Sequence, residues 1–237
     1  MTHDLTLVLP AYNEGESIQA TLLEIDKKVQ TTDLVTIFVS EDGSSDNTRS
    51  EVLETAKKVK NCQIVLAGPA SRLGYSKGVL RGIKECKTEL IGFMDADGQC
   101  DPADLKSLLQ KVEKGRVAVG YRNPRNDSVA RIAYSKAFGV AYRLFGGPKR
   151  IDPSSPFILC FREDIQFLAD CSPHLSFGFW WEFQTRIHKR GLRVIEVPVN
   201  HRVRAAGETQ VYALKKIPKI VYTHLVGLYR LRKELND

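Results

Sequence analysis

Ile91-Gly92-Phe93-Met94-Asp95-Ala96-Asp97-Gly98-Gln99 decides how the rest of the chain is read. An apolar run of strand character stops in two carboxylates one residue apart, followed by a glycine and an amide. A buried strand that ends this way brings two acidic side chains to the rim of a sheet. There they can hold a hard divalent cation against the phosphates of a ligand. Gln99 offers one more oxygen to the same ion. The alternative is a polar turn in which Asp95 or Asp97 caps the next helix, since Asp-rich turns are common.

Working outward, apolar runs at 5–9, 34–39, 63–66, 90–94 and 117–119 read as strands. Helices are expected between them at 17–29 (Ile18, Leu22, Ile25, Val29), from Asp46 or Thr48, at 72–86, and at 102–112 with Pro102 in a first-turn position. Strand–helix alternation with short connections implies right-handed crossovers and a mostly parallel sheet, whose ligands sit outside the carboxyl ends of the strands. Three polar stretches fall at such ends: Asn13-Glu14, Asp42-Gly43-Ser44 and Asp95-Ala96-Asp97. Their coincidence argues for one shared site. Neither G-x-G-x-x-G after the first strand nor G-x-x-x-x-G-K-[ST] occurs, so dinucleotide and P-loop readings lose ground.

The second half is less regular. A basic amphipathic helix is expected at 129–145, a turn at 152–156 leads into a strand at 157–161, and Phe177 to Glu182 opens a helix to about Lys189. A strand at 193–199 precedes a basic loop at 201–209. Leu214, Ile217, Val221, Leu225, Leu228 and Leu231 then trace an amphipathic pattern interrupted by Pro218. The expected division is a domain over 1–210 and a basic amphipathic helical extension over 211–237.

Composition fits a soluble globular protein of 237 residues, 43% hydrophobic and 27% charged, with enough apolar material for a full core. Five scattered cysteines without a C-x-x-C pair argue against a disulfide framework or a zinc site and favour a reducing compartment. The five histidines have no metal spacing. Met1-Thr2-His3-Asp4 runs straight into a strand, which reads as no signal peptide, and no apolar run is long enough to span a bilayer. The net charge of +7 is uneven, with twelve Lys/Arg against four acids from residue 186 onward. That surplus suits a phosphate-bearing ligand or an anionic membrane surface. Nucleic acid is disfavoured, because the tail lacks aromatic interleaving on a recognisable module.

Pro10-Ala11-Tyr12-Asn13-Glu14, Glu41-Asp42-Gly43-Ser44-Ser45-Asp46-Asn47-Thr48 and Asp95-Ala96-Asp97-Gly98-Gln99 together resemble the family 2 glycosyltransferases. Arg72-Leu73-Gly74 with Gly78 and Gly82, Gly120-Tyr121-Arg122, 152–157, and 191–198 with Arg202, Arg204, Gly207 and Glu208 are most similar to the polyprenyl-phosphate branch typified by dolichol-phosphate mannose synthase. The resemblance covers about residues 5 to 210. It implies an α/β GT-A (Rossmann-like) fold and an inverting enzyme. That enzyme would move a hexose from a GDP- or UDP-sugar to a polyprenyl phosphate with Mg²⁺ or Mn²⁺. It would sit at the cytoplasmic membrane face, peripherally or through a membrane-anchored partner.

Carried over by position, Pro10, Tyr12, Glu14 and Asp42 would hold base and ribose, with Gly43, Gly74 and Arg131 also on the donor. Asp95 would lie against ribose and diphosphate, and Asp97, Gln99 and Asp95 would hold the metal. Arg122, Arg131 and one or both of Arg202 and Arg204 would face phosphates. Three positions depart from the family pattern: Glu41 for the usual Asp, Ser76 for a usual Gly, and Ser155-Pro156 with Ile158 where an arginine is expected. An acceptor phosphate is already ionised and needs no general base, whereas a hydroxyl acceptor would want a carboxylate. Glu182 is the candidate for that role, set against simple pairing with Arg186 four residues on. Trp180 and Trp181 read as core or as an acceptor platform. The alternatives are a soluble transferase of the same fold with a glycan hydroxyl acceptor, and a non-catalytic nucleotide-sugar-binding subunit.

Overall fold

Leu5–Ala11 (β1) is buried along its whole length, so its apolar run belongs in the middle of a sheet covered on both faces. The computed structural model describes residues 3–29, 34–124, 129–175, 178–203 and 217–236, with backbone alone at 129–131 and 217–219. β1 pairs in parallel with β2 (Val35–Glu41) on one side and β4 (Leu90–Phe93) on the other. β3 (Cys62–Ala67), β5 (Arg116–Arg122), β6 (Ile158–Phe161) and β7 (Arg193–Val199) complete a seven-stranded sheet in the order β3-β2-β1-β4-β6-β5-β7. β6 alone runs antiparallel, between β4 and β5. Because β1 connects to β2 on one side while β4 lies on the other, the order reverses between them. The crevice at that switch point is where a ligand fits.

Side chains of β1 alternate between two cores. Leu5, Leu7 and Leu9 join Ile18, Leu22 and Ile25 of α1 (Ile18–Lys28) on one face, beside α2 (Thr48–Ala56) and α4 (Leu105–Leu109). Val8 joins Val79 and Ile83 of α3 (Tyr75–Glu85) on the other, together with Trp180, Phe183 and Ile187 of α7 (Phe179–Lys189). A third cluster joins Phe138 and Tyr142 of α5 (Val129–Leu144) to Trp181 and to Leu228 of α8 (Ile217–Glu234). The C-terminal helix thus packs back on the domain; its described part opens at Ile217, with Pro218 in the first turn, where proline is tolerated, and 211–216 lie outside the described residues.

The expected helix over 102–112 is shorter. A 3₁₀ turn at Pro102–Asp104, capped by the Asp101 carboxylate on the Ala103 N–H, runs into α4, which stops at Leu109. A turn then closes on Gly115, whose φ of 76° suits glycine. The fifth strand is longer than expected, and a short helix α6 (Arg162–Ile165) follows β6 where none was expected. All five cysteines are free thiols. No helix among the described residues is long and apolar enough to cross a membrane.

α3 lies close over β1 because Gly82 has no side chain. A Cβ there would stand 2.3 Å from Val8 Cγ1. Val8 is stiff and fully buried, so it cannot yield. Gly82→Ala is expected to lower stability by roughly 1–3 kcal/mol in urea unfolding through overpacking. Helix propensity alone predicts a gain of about 1 kcal/mol, so a stabilised variant would show that the approach is looser than described.

Candidate active site

The loops after β1 and β2 are stitched together by short side chains. Asn13, at φ 54°, donates its N–H to Ser44 Oγ (3.0 Å) and accepts the Ser45 N–H on Oδ1 (2.9 Å). Asn tolerates that left-handed backbone better than most residues. The Glu14 N–H bonds Thr48 Oγ1 (2.8 Å), and Ser17 Oγ donates to the Glu14 carboxylate (2.9 Å). Glu41 is nearly fully buried, which pushes its carboxyl up, but the Ser44 N–H and hydroxyl and the Gly43 N–H, with Arg49 at 3.3 Å, outweigh that and hold it below the usual range. Asp42 accepts the N–H groups of Leu73 (2.7 Å) and Gly74 (2.9 Å), fixing the loop that enters α3 through Gly74 at φ 103°. The Arg72 guanidinium lies 3.8 Å from the centroid of the Tyr12 ring. Gly43, at φ 71°, has no room for a Cβ, which would fall 2.8 Å from the Ser71 carbonyl carbon.

β4 delivers the acidic loop into this surround. The Thr21 hydroxyl donates to the Ala96 carbonyl at 3.1 Å, and Ser17 Oγ lies 3.4 Å from the same oxygen, so both hold the loop against α1. Asp95 accepts the Tyr75 hydroxyl at 2.6 Å. Asp97 is buried, takes the Gln99 N–H on Oδ1 at 3.1 Å, and has no protein partner for Oδ2 among the described residues. Gln99 donates its side-chain NH₂ to the Arg202 carbonyl (3.2 Å), which leaves its Oε1 as the atom able to reach an ion. No group of three or more His, Cys, Asp or Glu among the described residues is disposed to hold a metal ion alone. Two carboxylates one residue apart suit a hard cation that takes its other ligands from phosphate and water.

The chain matches the model of glycosyl transferase family 2 over residues 6–178. It belongs to that family. Dolichol-phosphate mannosyltransferase of Pyrococcus furiosus is 25% identical over 236 residues, covering 97% of this chain and 64% of that protein. An undecaprenyl-phosphate 4-deoxy-4-formamido-L-arabinose transferase of Klebsiella pneumoniae is 24% identical over 220 residues, covering 92% and 65%. The chain thus spans just under two thirds of the length of these relatives. Among solved structures, glucosyl-3-phosphoglycerate synthase from Mycobacterium tuberculosis with Mn²⁺, UDP and glucosyl-3-phosphoglycerate superposes with a TM-score of 0.63 at 16% identity, covering 96% of this chain and 80% of that one. That likeness is one of fold, the GT-A arrangement.

In this family 2 chain two of the basic residues expected to face phosphates, Arg122 and Arg202, are paired with carboxylates. Arg122 is buried and forms a bidentate pair with Asp152 (2.6 and 2.8 Å), with Ser154 Oγ as a further acceptor at 2.6 Å. Arg202 clasps Glu24 (2.8 Å) and Asp101 (2.6 Å), and Lys28 joins the same two acids. Arg131 lies on α5 with its side chain outside the described residues, as is all of Arg204. Glu182 is fully buried. It accepts the N–H groups of His174 (2.7 Å) and Leu175 (2.8 Å) and pairs with Arg186 (2.8 Å), which reaches on to Glu234 of α8 (2.6 Å). The pairing with Arg186 set beside the general-base role is therefore the observed one. Trp180 and Trp181 are buried core residues, and Trp180 also donates its indole N–H to Tyr75 at 2.8 Å.

Tyr75, Asp101, Glu24 and Asp152 were not read from the sequence as site residues. Each acts through a partner 20 or more positions away, which leaves no local pattern. Burial pushes the Asp101 carboxyl up, but Lys28, the Ala103 N–H and Arg202 outweigh it and hold the group down at about 2. A carboxyl held below its ordinary value of about 3.9 adds stability that is complete above about pH 4 and is lost as pH falls through 2. Asp101→Asn should therefore flatten the fall of the urea midpoint between pH 4 and 2. An unchanged slope would assign the acid sensitivity to other carboxylates.

Proposed function

We propose that the chain is an inverting, metal-dependent transferase that moves a hexose from a GDP- or UDP-sugar to a polyprenyl phosphate. The observation that carries this reading is the pair Asp95 and Asp97 at the carboxyl end of β4, facing the loops after β1 and β2 across the switch point. The polyprenyl-phosphate transferases among its relatives and the UDP and Mn²⁺ held by its structural neighbour support it.

In this reading Pro10, Tyr12, Glu14, Asp42, Gly43 and Gly74 line the base and ribose, and Asp95 meets the ribose and diphosphate. Asp97, Asp95 and the Gln99 oxygen hold Mg²⁺ or Mn²⁺. A divalent cation there supplies positive charge where the leaving diphosphate develops negative charge. Arg131, Arg204 and the exposed edge of the Arg202 clasp face phosphates, while Arg122, locked on Asp152, shapes the floor near them. The acceptor phosphate attacks as an ionised nucleophile and needs no base, which agrees with a Glu182 spent on structure. A lipid acceptor requires the protein to meet a bilayer, and contact would be peripheral or through a membrane-anchored partner.

The test is transfer of labelled hexose from GDP-mannose and UDP-glucose to a polyprenyl phosphate in detergent, with Mn²⁺ or with a chelator. Chelation should abolish transfer. Asp97→Ala should lower it on the order of 10²-fold or more while the protein stays folded. Donor binding should raise the melting temperature of the wild type only when metal is present. Full activity in Asp97→Ala would remove the metal assignment, and transfer to a glycan hydroxyl instead of the lipid would select the soluble-acceptor alternative.

A further inference from the structure

Asp95 is not held by its own loop alone. The hydroxyl of Tyr75, the first residue of α3, donates to Asp95 Oδ1 at 2.6 Å. The indole N–H of Trp180, in the first turn of α7, donates to the oxygen of that hydroxyl at 2.8 Å. These are the two partners of the Tyr75 hydroxyl among the described residues. An oxygen that accepts from the indole has its proton left for the carboxylate, so the two bonds form a directed chain from α7 through α3 to the loop after β4. The donor end is rigid. Trp180 is buried and packs edge-on against Phe93 (5.4 Å between ring centroids), Phe183 (5.5 Å) and Tyr75 itself (6.3 Å).

We propose that Tyr75 and Trp180 are positioning residues for the reaction, a two-bond relay that fixes the rotamer in which the Asp95 carboxylate meets the donor diphosphate and its cation. This rests on the reading of Asp95 as a donor-site ligand. The Tyr75 hydroxyl has one proton, and with the indole N–H on its oxygen that proton lies on the bond to the Asp95 carboxylate. Among the described residues, Asp97 and Cys100 on the same loop and Arg122 at the end of β5 also lie near this pair. Hydrogen-bonded chains polarise one another, so the outer bond strengthens the inner one. Outer partners of this kind orient ligands of a metal, and losing one typically weakens metal affinity or activity 10- to 100-fold.

The experiment compares wild type, Tyr75→Phe, Trp180→Phe and the double variant, each checked for an unchanged fold by thermal melting. The first readout is the ¹³C titration of the Asp95 carboxyl in protein without metal, assigned with Asp95→Asn. Removing a donor from the ionised form raises the midpoint, here by about one pH unit in Tyr75→Phe, since a hydrogen bond to a charged group is worth roughly a tenfold factor or more. Trp180→Phe should move it less and in the same direction. In the double variant the tryptophan change should add nothing, because its effect passes through the Tyr75 oxygen. The second readout is the apparent affinity for Mn²⁺ with donor, expected to fall about tenfold in Tyr75→Phe. A midpoint that does not move in Tyr75→Phe, or a Trp180→Phe effect that persists in the double variant, overturns the relay. A midpoint that moves as expected in a protein whose wild type binds neither Mn²⁺ nor donor overturns the donor-site reading instead.

Discussion

The last rung between the two central strands is the hydrogen bond from the Met94 N–H to the Val8 carbonyl, at 3.1 Å. One residue later the chain leaves the sheet as Asp95. The parallel register of β1 and β4, with Val8 opposite Phe93, decides where the acidic loop emerges relative to Asn13-Glu14. The register of β1 with β2, ending at Ala11 opposite Glu41, places Asp42 beside both. A slip of one residue in either ladder would turn Leu7 and Val8 to the wrong cores and move the carboxylates off the crevice. The two cores thus enforce the site geometry as strictly as they enforce the fold.

Several of the charges nearest the site are spent internally. Burying an ion is costly unless it is paired and hydrogen-bonded. Arg122 with Asp152 and Arg186 with Glu182 satisfy that condition, both pairs lying almost wholly inside the protein. The half-exposed clasp of Arg202 with Glu24 and Asp101 ties the segment after β7 to α1 and to the loop after β4. Its acids neutralise an arginine that a charge count assigns to ligand. A surplus read from the sequence measures total charge, and the fraction left to meet a phosphate depends on partners that only folding brings near.

That distinction also marks what was legible in the sequence. The strands were legible because each buried one is a continuous apolar run closed by polar residues, and the candidate site because its three polar turns all follow such runs. The direction of β6 was not, since Ile158–Phe161 is equally apolar read either way and β6 inserts antiparallel between β4 and β5. The helix after Pro102 stops at Leu109, short of the expected Val112, and the chain then turns through the Glu113–Arg116 bridge with Gly115 at φ 76° into β5. Asp152 carried no signal as the partner of Arg122, because the two meet across 30 residues of intervening chain.

α7 shows how a residue can belong to core and site together. Its eleven residues span roughly 16 Å, enough to cross one face of the domain as a rigid rod. At its first turn Trp180 reaches Tyr75 and so Asp95. In its middle Glu182 ties down the preceding loop through His174 and Leu175, and near its end Arg186 grips Glu234 of α8. Reading Trp180 as core or as platform therefore posed a false choice. A tryptophan buries a large apolar body and still needs a partner for one N–H. Here that partner is the hydroxyl holding Asp95, so the packing that seats α7 also orients the carboxylate.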